Sequence, residues 1–488
     1  MIANLVMFVS NLLVFLLLCM ILCLVIPQED IILLRHFGLI VSGIAFLYSI
    51  HLLGSNTTYG FFNLLWFDIS AGDGLRMSFG VDAVSSFFIL LTNFLLMLCF
   101  LSSFSSIKSH FKAFVFVLLL IDFFLVGLFS SLDLFLFYVC FESILIPMFV
   151  LIGIWGSRQR RIHAAIQFFF YTLLGSFFML AAVSLIYAHT GTTNVLLLNM
   201  CSLSPERQLL VWVCFFMAFS IKIPMFPFHI WLPEAHVEAP TIGSVILAGV
   251  LLKMGGYGFL RFVVPLLPIG NYFFTPFVFA ISTLAVLYTS LTAIRQIDLK
   301  KIIAYASVSH MNFVVLGIFN YSTVGILGSI FLMLSHGIVS SGLFFCVGVL
   351  YDRYHTRLLR YFGGIAYFMP IFAVCFFILI LSNFSFPGTS NFVGEVLVLG
   401  GFIFQNMFCT FFVLISIVFS VIYSVWLYNR LFFGSVNTHA LLRFSDLSER
   451  EFWVLAPCVI LTVVLGICPN IVLHKLEWAS LTFSFFRY

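Results

Sequence analysis

Long apolar runs alternate along this chain with short clusters of Gly, Pro and charged residues, and the runs are longer than strands need. A helix rises 1.5 Å per residue, so about 20 apolar residues cross a hydrocarbon core about 30 Å thick with every backbone polar group paired inside the segment. On that rule the pattern predicts about 14 spans, at roughly 1–26, 37–54, 82–104, 111–130, 133–154, 163–188, 207–232, 240–264, 272–293, 301–320, 323–350, 366–405, 410–432 and 453–473. The fold class expected is all-α, a polytopic membrane protein. Met1 to Ile26 lacks a basic leading region and is too long and unbroken for a signal peptide, so it reads as the first span. An even number of spans returns both termini to one side.

Composition supports the pattern. The 488 residues are 63% hydrophobic and 8% charged, against about 25% charged in a soluble domain, and mean hydropathy is +1.19. The 11 cysteines are scattered through apolar runs without a CxxC pair, Cys19 and Cys23 being one helical turn apart. No disulfide framework, iron–sulfur cluster or zinc site is expected from that spacing. A net charge of +4 spread over short loops argues against a nucleic-acid partner. No GxGxxG follows a strand and no GxxxxGK[ST] occurs, so no nucleotide cradle is expected either.

Lys and Arg concentrate in cytoplasm-like connections of membrane proteins. Connections after odd-numbered spans hold fifteen of them, namely Arg35, Lys108, Lys112, Arg158, Arg160, Arg161, Arg295, Lys300, Lys301, Arg353, Arg357, Arg360, Arg430, Arg443 and Arg450. The opposite side holds five, Arg76, Arg207, Arg261, Lys475 and Arg487. Of the 22 basic residues this leaves Lys222 and Lys253, both inside spans. The bias places the basic connections inward and both termini outward.

A charge at the middle of a membrane helix costs at least about 2.5–3.5 kcal/mol, which makes an ionisable residue there a functional candidate. Six sit near the centres of their spans: Glu142 in FYVCFESILIP, Lys222 in FSIKIPMFPFHIW, Lys253 in GVLLKMGGYG, His310 in YASVSHMNF, His336 in LMLSHGIVS and Glu395 in SNFVGEVLV. All lie within about three residues of a helix or half-helix midpoint, so they share a depth to about 5 Å. A lone histidine in a span also serves helix packing, and a fixed salt bridge to Glu142 or Glu395 is the structural alternative for the lysines. Asp122 is a weaker candidate, and Asp133 reads as a helix cap.

Two spans look interrupted: the seventh by Pro224 and Pro227 after Lys222, the twelfth by Pro387 and Gly388 ahead of Glu395. Such breaks are tolerated in lipid where they line a polar cavity. Five spans apart, they have opposite orientations, as in an inverted repeat with discontinuous helices at a transport site. The expected organisation is helices 1–3 over 1–110, a first five-helix repeat over 111–264, its inverted partner over 265–432, and helix 14 with a tail over 433–488. The repeat follows from the breaks and their spacing, since the two halves show no direct identity.

These residues suit protons. Burial penalises a lysine ammonium and a nearby carboxylate supports it, so motion of Glu142 toward or away from Lys222 would switch that proton between retention and release toward Lys253. An imidazole accepts on one nitrogen while donating from the other, which suits His310 and His336 as relays, with Glu395 as the exit carboxylate and water bridging the gaps. A central lysine repels Na⁺ or K⁺.

The motifs FESILIPMF, KIPMFPFHIWLPEAHVEAPT, GSVILAGVLLKMGGYGFLRF and NFSFPGTSNFVGE closely resemble the antiporter-like membrane subunits of respiratory complex I, and the resemblance covers nearly the whole chain. It is nearest to the M-type members, because Glu395 stands where the related chains 2 and 5 typically have lysine, and the long lateral C-terminal helix of chain 5 is lacking. The resemblance implies 14 helices in two inverted repeats. Glu142 and Lys222 would be the input pair, Lys253 and the histidines connectors, and Glu395 the output. His229 is a secondary candidate beside Asp122, as are Glu234, His236 and Glu238 in PEAHVEAP, on the outer or cavity-facing side of the turn between spans 7 and 8, where a solvated loop is as good a reading as a catalytic one.

The function implied is proton translocation driven by NADH:ubiquinone electron transfer. NADH, FMN, the iron–sulfur clusters and ubiquinone would belong to other subunits, with no cofactor or metal bound by this chain and a phospholipid such as cardiolipin as a candidate ligand. The partners implied are other membrane-arm subunits, especially chains 2 and 5, supernumerary subunits and the lipid bilayer. The 65 Phe residues and the lack of a transit peptide suggest synthesis inside an organelle, hence a mitochondrial inner membrane with basic loops facing the matrix and both termini facing the intermembrane space. The competing readings are a subunit of a multisubunit Na⁺/H⁺ antiporter, a scaffold subunit that no longer pumps, and a plastid or bacterial homologue.

Overall fold

Apolar runs become helix where nothing interrupts their backbone hydrogen bonding, and polar residues at their starts satisfy the first free N–H groups. The computed structural model describes residues 2–55, 67–71, 75–107, 109–436 and 445–485; Lys108, Arg443 and Arg487, counted above for orientation, lie outside them. Asp82 and Ser85 form a reciprocal capping box ahead of Ala83–Ser106, and Ser448 with Glu451 forms another ahead of Glu449–Ile467. Asp133 is a cap, as the sequence suggests: its carboxylate accepts from the N–H groups of Phe135 and Leu136.

Among the described residues, 11 helices are long and apolar enough to cross a membrane: Ile31–Gly54, Ala83–Ser106, Phe111–Ser130, Leu134–Trp155, Arg161–Thr190, Thr241–Leu266, Pro268–Ile294, Leu299–Ile318, Thr323–Tyr354, Met407–Phe432 and Glu449–Ile467. Ser10–Val25, Pro370–Asn383 and Ser390–Phe402 are shorter apolar helices. The fold is that of a helical polytopic membrane protein. Outside the predicted spans lie an antiparallel hairpin of Phe67–Ala71 with Leu75–Phe79, the short helix Val195–Leu198, the turn Leu359–Tyr361 and most of a last helix, Asn470–Phe485.

The breaks carry the functional interest. Helix Pro205–Lys222 ends on Lys222, and after Ile223–Pro227 the chain resumes as a short 3-10 turn, Phe228–Ile230, and a helix, Trp231–Glu238. Pro370–Asn383 and Ser390–Phe402 are separated by a segment in which Ser385 and Gly388 have φ of 59° and 89°. A third break was not expected. Leu134–Ser143 and Leu145–Trp155 are separate helices meeting at Ile144, because Pro147 has no N–H to offer the carbonyl four residues earlier. Thr241–Leu266 also carries two π-helical turns, Leu247–Leu251 and Phe259–Val263, on either side of Lys253.

The chain packs as two units. One comprises Met1–Lys222, Lys253–Thr275 and Lys475–Tyr488; the other comprises Ile223–Leu252 and Pro276–His474. In the first, Ile31–Ser55 packs on Ala83–Ser106 and Arg161–Thr190 on Pro205–Lys222. Phe137 sits among Phe141, Phe219, Tyr257 and Phe262 there. In the second, the apolar helix Thr323–Tyr354 is central and fully buried through its core, with Leu299–Ile318, Ser390–Phe402, Pro370–Asn383 and Glu449–Ile467 packed on it. Gly394 makes one of these contacts possible, since a Cβ there would lie 2.9 Å from the backbone of Leu332.

Candidate functional site

In the first unit the chemistry gathers at two helix ends. Glu142 stands next to last in Leu134–Ser143, beside the unexpected break, and its buried Oε2 makes no hydrogen bond among the described residues. Lys222 is buried at the C-terminal end of its helix, where the helix dipole favours a cation. Its Nζ lies 4.5 Å from the ring centre of Phe141 and 6.0 Å from that of Phe168, a cation–π setting. Glu142 acts on Lys222 electrostatically, yet the two do not form a direct ion pair, so the fixed salt bridge considered for Lys222 is not made with Glu142. Lys253 is wholly buried between the two π turns, a feature that often marks functional segments. Asp122 is buried in Phe111–Ser130 with an Oδ1 that makes no hydrogen bond among the described residues.

In the second unit two predicted residues come into contact. His310 Nδ1 and Glu395 Oε1 are 3.0 Å apart, with both side chains buried. The ring of His336 lies 5.4 Å from that of His310, centre to centre, at 44°. His310 Nε2 is buried and makes no hydrogen bond among the described residues, which leaves one nitrogen open to a second transfer. The buried hydroxyl of Tyr423, which the sequence reading missed, is close enough to Glu395 to feel its charge.

The PEAHVEAP segment is helical through Glu238 and is not a solvated loop. Glu234 pairs with Lys301 at 2.8 Å near the surface, while Glu238 is buried and pairs with Arg357 at 3.0 Å. His236 has no exposed surface and stacks on Phe344 at 4.7 Å and 7°. His229 is buried against Phe226 and Tyr288. Two residues counted as loop charges are buried instead, Lys300 at 3% exposure and Arg357 at 2%. In the first unit, Arg261 pairs with Asp82 at 2.6 Å, a contact that no sequence spacing announces. Among the described residues no group of three or more His, Cys, Asp or Glu side chains could hold a metal ion.

The family profile described as NADH:quinone oxidoreductase/Mrp antiporter, TM, matches residues 131–422. NADH-ubiquinone oxidoreductase chain 4 of Chondrus crispus is 51% identical over 462 residues, covering 94% of this chain and 93% of its own length. The chain belongs to the NADH-ubiquinone oxidoreductase chain 4 family. The chain 4 of Arabidopsis thaliana is 49% identical over 458 residues, 93% of this chain and 92% of its own. A chain of respiratory complex I from Thermus thermophilus with bound NADH superposes with a TM-score of 0.88 at 29% identity, covering 99% of this chain and all of that one. A chain of the Mrp complex from Dietzia shares the fold, with a TM-score of 0.87 at 20% identity, covering all of this chain and 99% of that one. The profile match spans Glu142, Lys222, Lys253, His310, His336 and Glu395, and leaves Asp122 outside.

Proposed function

We propose that this chain, a membrane subunit of respiratory complex I, moves protons through two sets of buried groups: Glu142, Lys222 and Lys253 in one unit, and His310, His336 and Glu395 in the other. The observation that carries this reading is the 3.0 Å contact of His310 with Glu395 beside a second buried imidazole. A histidine and a carboxylate at that separation can pass a proton from one to the other, and a low local dielectric makes the transfer sensitive to any nearby charge.

At the Glu142–Lys222 site the lysine would hold its proton while the carboxylate stays near, supported by Phe141, and release it when that carboxylate is neutralised or drawn away. Lys253 serves as the connector, and Glu395 as the output group. Asp122, His229, Glu234, His236 and Glu238 are secondary candidates. NADH oxidation and quinone reduction belong to other subunits, whose redox chemistry supplies the energy. In the membrane the chain would cross 14 times, with inverted repeats over 111–264 and 265–432, basic connections in the mitochondrial matrix and both termini in the intermembrane space. Its partners would be other membrane-arm subunits of the complex, especially chains 2 and 5, with supernumerary subunits and bound phospholipid such as cardiolipin.

Mild-detergent membranes run on a native gel test the assignment. The chain should migrate with a large assembly that oxidises NADH. Migration in a smaller assembly that transports cations would replace it with the antiporter reading.

A further inference from the structure

The second unit holds a buried charged cluster around Lys300, a residue to which the proton path above gives no part. Lys300, in the first turn of Leu299–Ile318, is almost wholly buried, and its Nζ donates to the carbonyl of Ala239 at 2.8 Å and to Ser244 Oγ at 3.4 Å. Both acceptors are uncharged. The charged groups within electrostatic reach are Arg357, Glu238, Asp298 and Asp352. Arg357 takes two of these carboxylates for itself, Glu238 at 3.0 Å and Asp298 at 3.1 Å. Among the described residues Lys300 therefore has no ion pair, in a place where an ammonium without one is costly. A neutral amine has two hydrogens to donate and finds two acceptors here, whereas an ammonium would have a third left over. The site thus tolerates loss of the proton, while Glu238 Oε2, buried and without a hydrogen bond among the described residues, offers a place for a proton to arrive.

The surroundings lead inward. Ser244 Oγ, which accepts from Lys300, in turn donates to the backbone carbonyl of His236, at 3.1 Å. The His236 ring is stacked on Phe344, eight residues along the same helix from His336, or about 12 Å. Lys300 is ten residues from His310 on its own helix, about 15 Å. The order from the basic-loop end inward is therefore Lys300 with Glu238, then His236, then the His336, His310 and Glu395 group.

We infer that Lys300 and Glu238 form a proton port through which the His310–Glu395 site exchanges protons with the basic-loop side, by way of His236. The inference rests on the reading of His310 and Glu395 as proton carriers. A proton arriving on Glu238 passes to the Lys300 amine. It leaves from Nζ through bridging water to one nitrogen of His236, whose other nitrogen releases a proton inward, so that each group ends as it began.

Intact complex I carrying Lys300→Met or Lys300→Arg separates a proton carrier from a fixed charge. Arginine keeps the positive charge but does not give up its proton. The port requires both assembled variants to lose most proton pumping. If Lys300→Arg pumps normally, or if neither variant assembles, Lys300 is a structural cation and the port is wrong. Glu395→Gln, measured alongside, tells the two readings apart. Loss of pumping in Glu395→Gln with normal pumping in both Lys300 variants overturns the port alone, whereas normal pumping in Glu395→Gln overturns the reading on which it rests.

Discussion

His310 and Glu395 approach to 3.0 Å from two different helices, and the glutamate's helix begins only five residues before it, at Ser390. The broken span thus sets a carboxylate near a helix start, within reach of an imidazole on a continuous helix. Charge-assisted contacts of this kind contribute about 1.5–3 kcal/mol, and removing one partner of a buried pair is costlier than removing both.

Glu395→Gln tests that contact with little change of shape. The amide still fills the space and bonds to His310, so the complex should assemble, but the proton can no longer rest on residue 395. Quinone-linked turnover should fall on the order of tenfold, the equivalent of about 1.4 kcal/mol, with a parallel fall in pumping. Wild-type pumping in a fully assembled variant would remove Glu395 from the path.

Gly394 tests how the same helix is seated. A side chain there meets the Leu332 backbone at 2.9 Å, so Gly394→Val should force the half-helix outward at a cost of about 1–3 kcal/mol. Lower thermal stability of the complex and weaker pumping should appear together. Unchanged stability would show that the two helices have more room than the close approach implies.

Much of this arrangement is legible in the sequence because lipid allows few solutions. Apolar runs must be helical, and charges such as Lys222, Lys253 and Glu395 stand out within them. The prolines at 224, 227 and 387 mark their breaks for the same reason. Pro147 carried the same information about Ile144 and was hidden by the apolar residues around it. Lys300 and Arg357 were hidden for a different reason. Hydropathy assigns a charge near a span end to the loop, and only the fold brings the buried partners Ala239 and Glu238 to them. The segment from Glu234 to Glu238 shows the limit clearly, since two glutamates one helical turn apart meet different fates, one near the surface and one enclosed.

Asp82 gives a pH dependence whose sign can be worked out. It caps Ala83–Ser106 from just outside the span. Burial pushes its carboxyl up, but the Arg261 guanidinium and the Ser85 hydrogen bonds outweigh this and hold it below the ordinary carboxylate range. A carboxyl lowered in the folded state stabilises above its unfolded value of about 3.9 and loses that contribution as pH falls through the folded one. The pair should therefore persist through neutral and mildly acidic pH. Asp82→Asn should lower stability by about 1–3 kcal/mol at neutral pH and narrow its gap from wild type only below about pH 4. Thermal unfolding of the purified complex across pH 3–7 checks both, and a gap that closes already near pH 6 would contradict the assignment.

Lys222 is the sharpest test of the first unit, because its surroundings accept a charge without fixing it. The Phe141 ring and the helix end support an ammonium, while no carboxylate among the described residues pairs with it directly. Lys222→Ala removes the proton carrier and should abolish most pumping while leaving assembly intact. Lys222→Arg keeps the charge and the aromatic contact but holds its proton, so it should pump no better than the alanine variant. Glu142→Gln removes the group that biases release and should give an intermediate loss, on the order of tenfold or less. Measuring proton uptake and NADH-driven turnover together in reconstituted vesicles separates the cases. If arginine restores pumping, the residue at 222 serves as a fixed charge and the switching role falls.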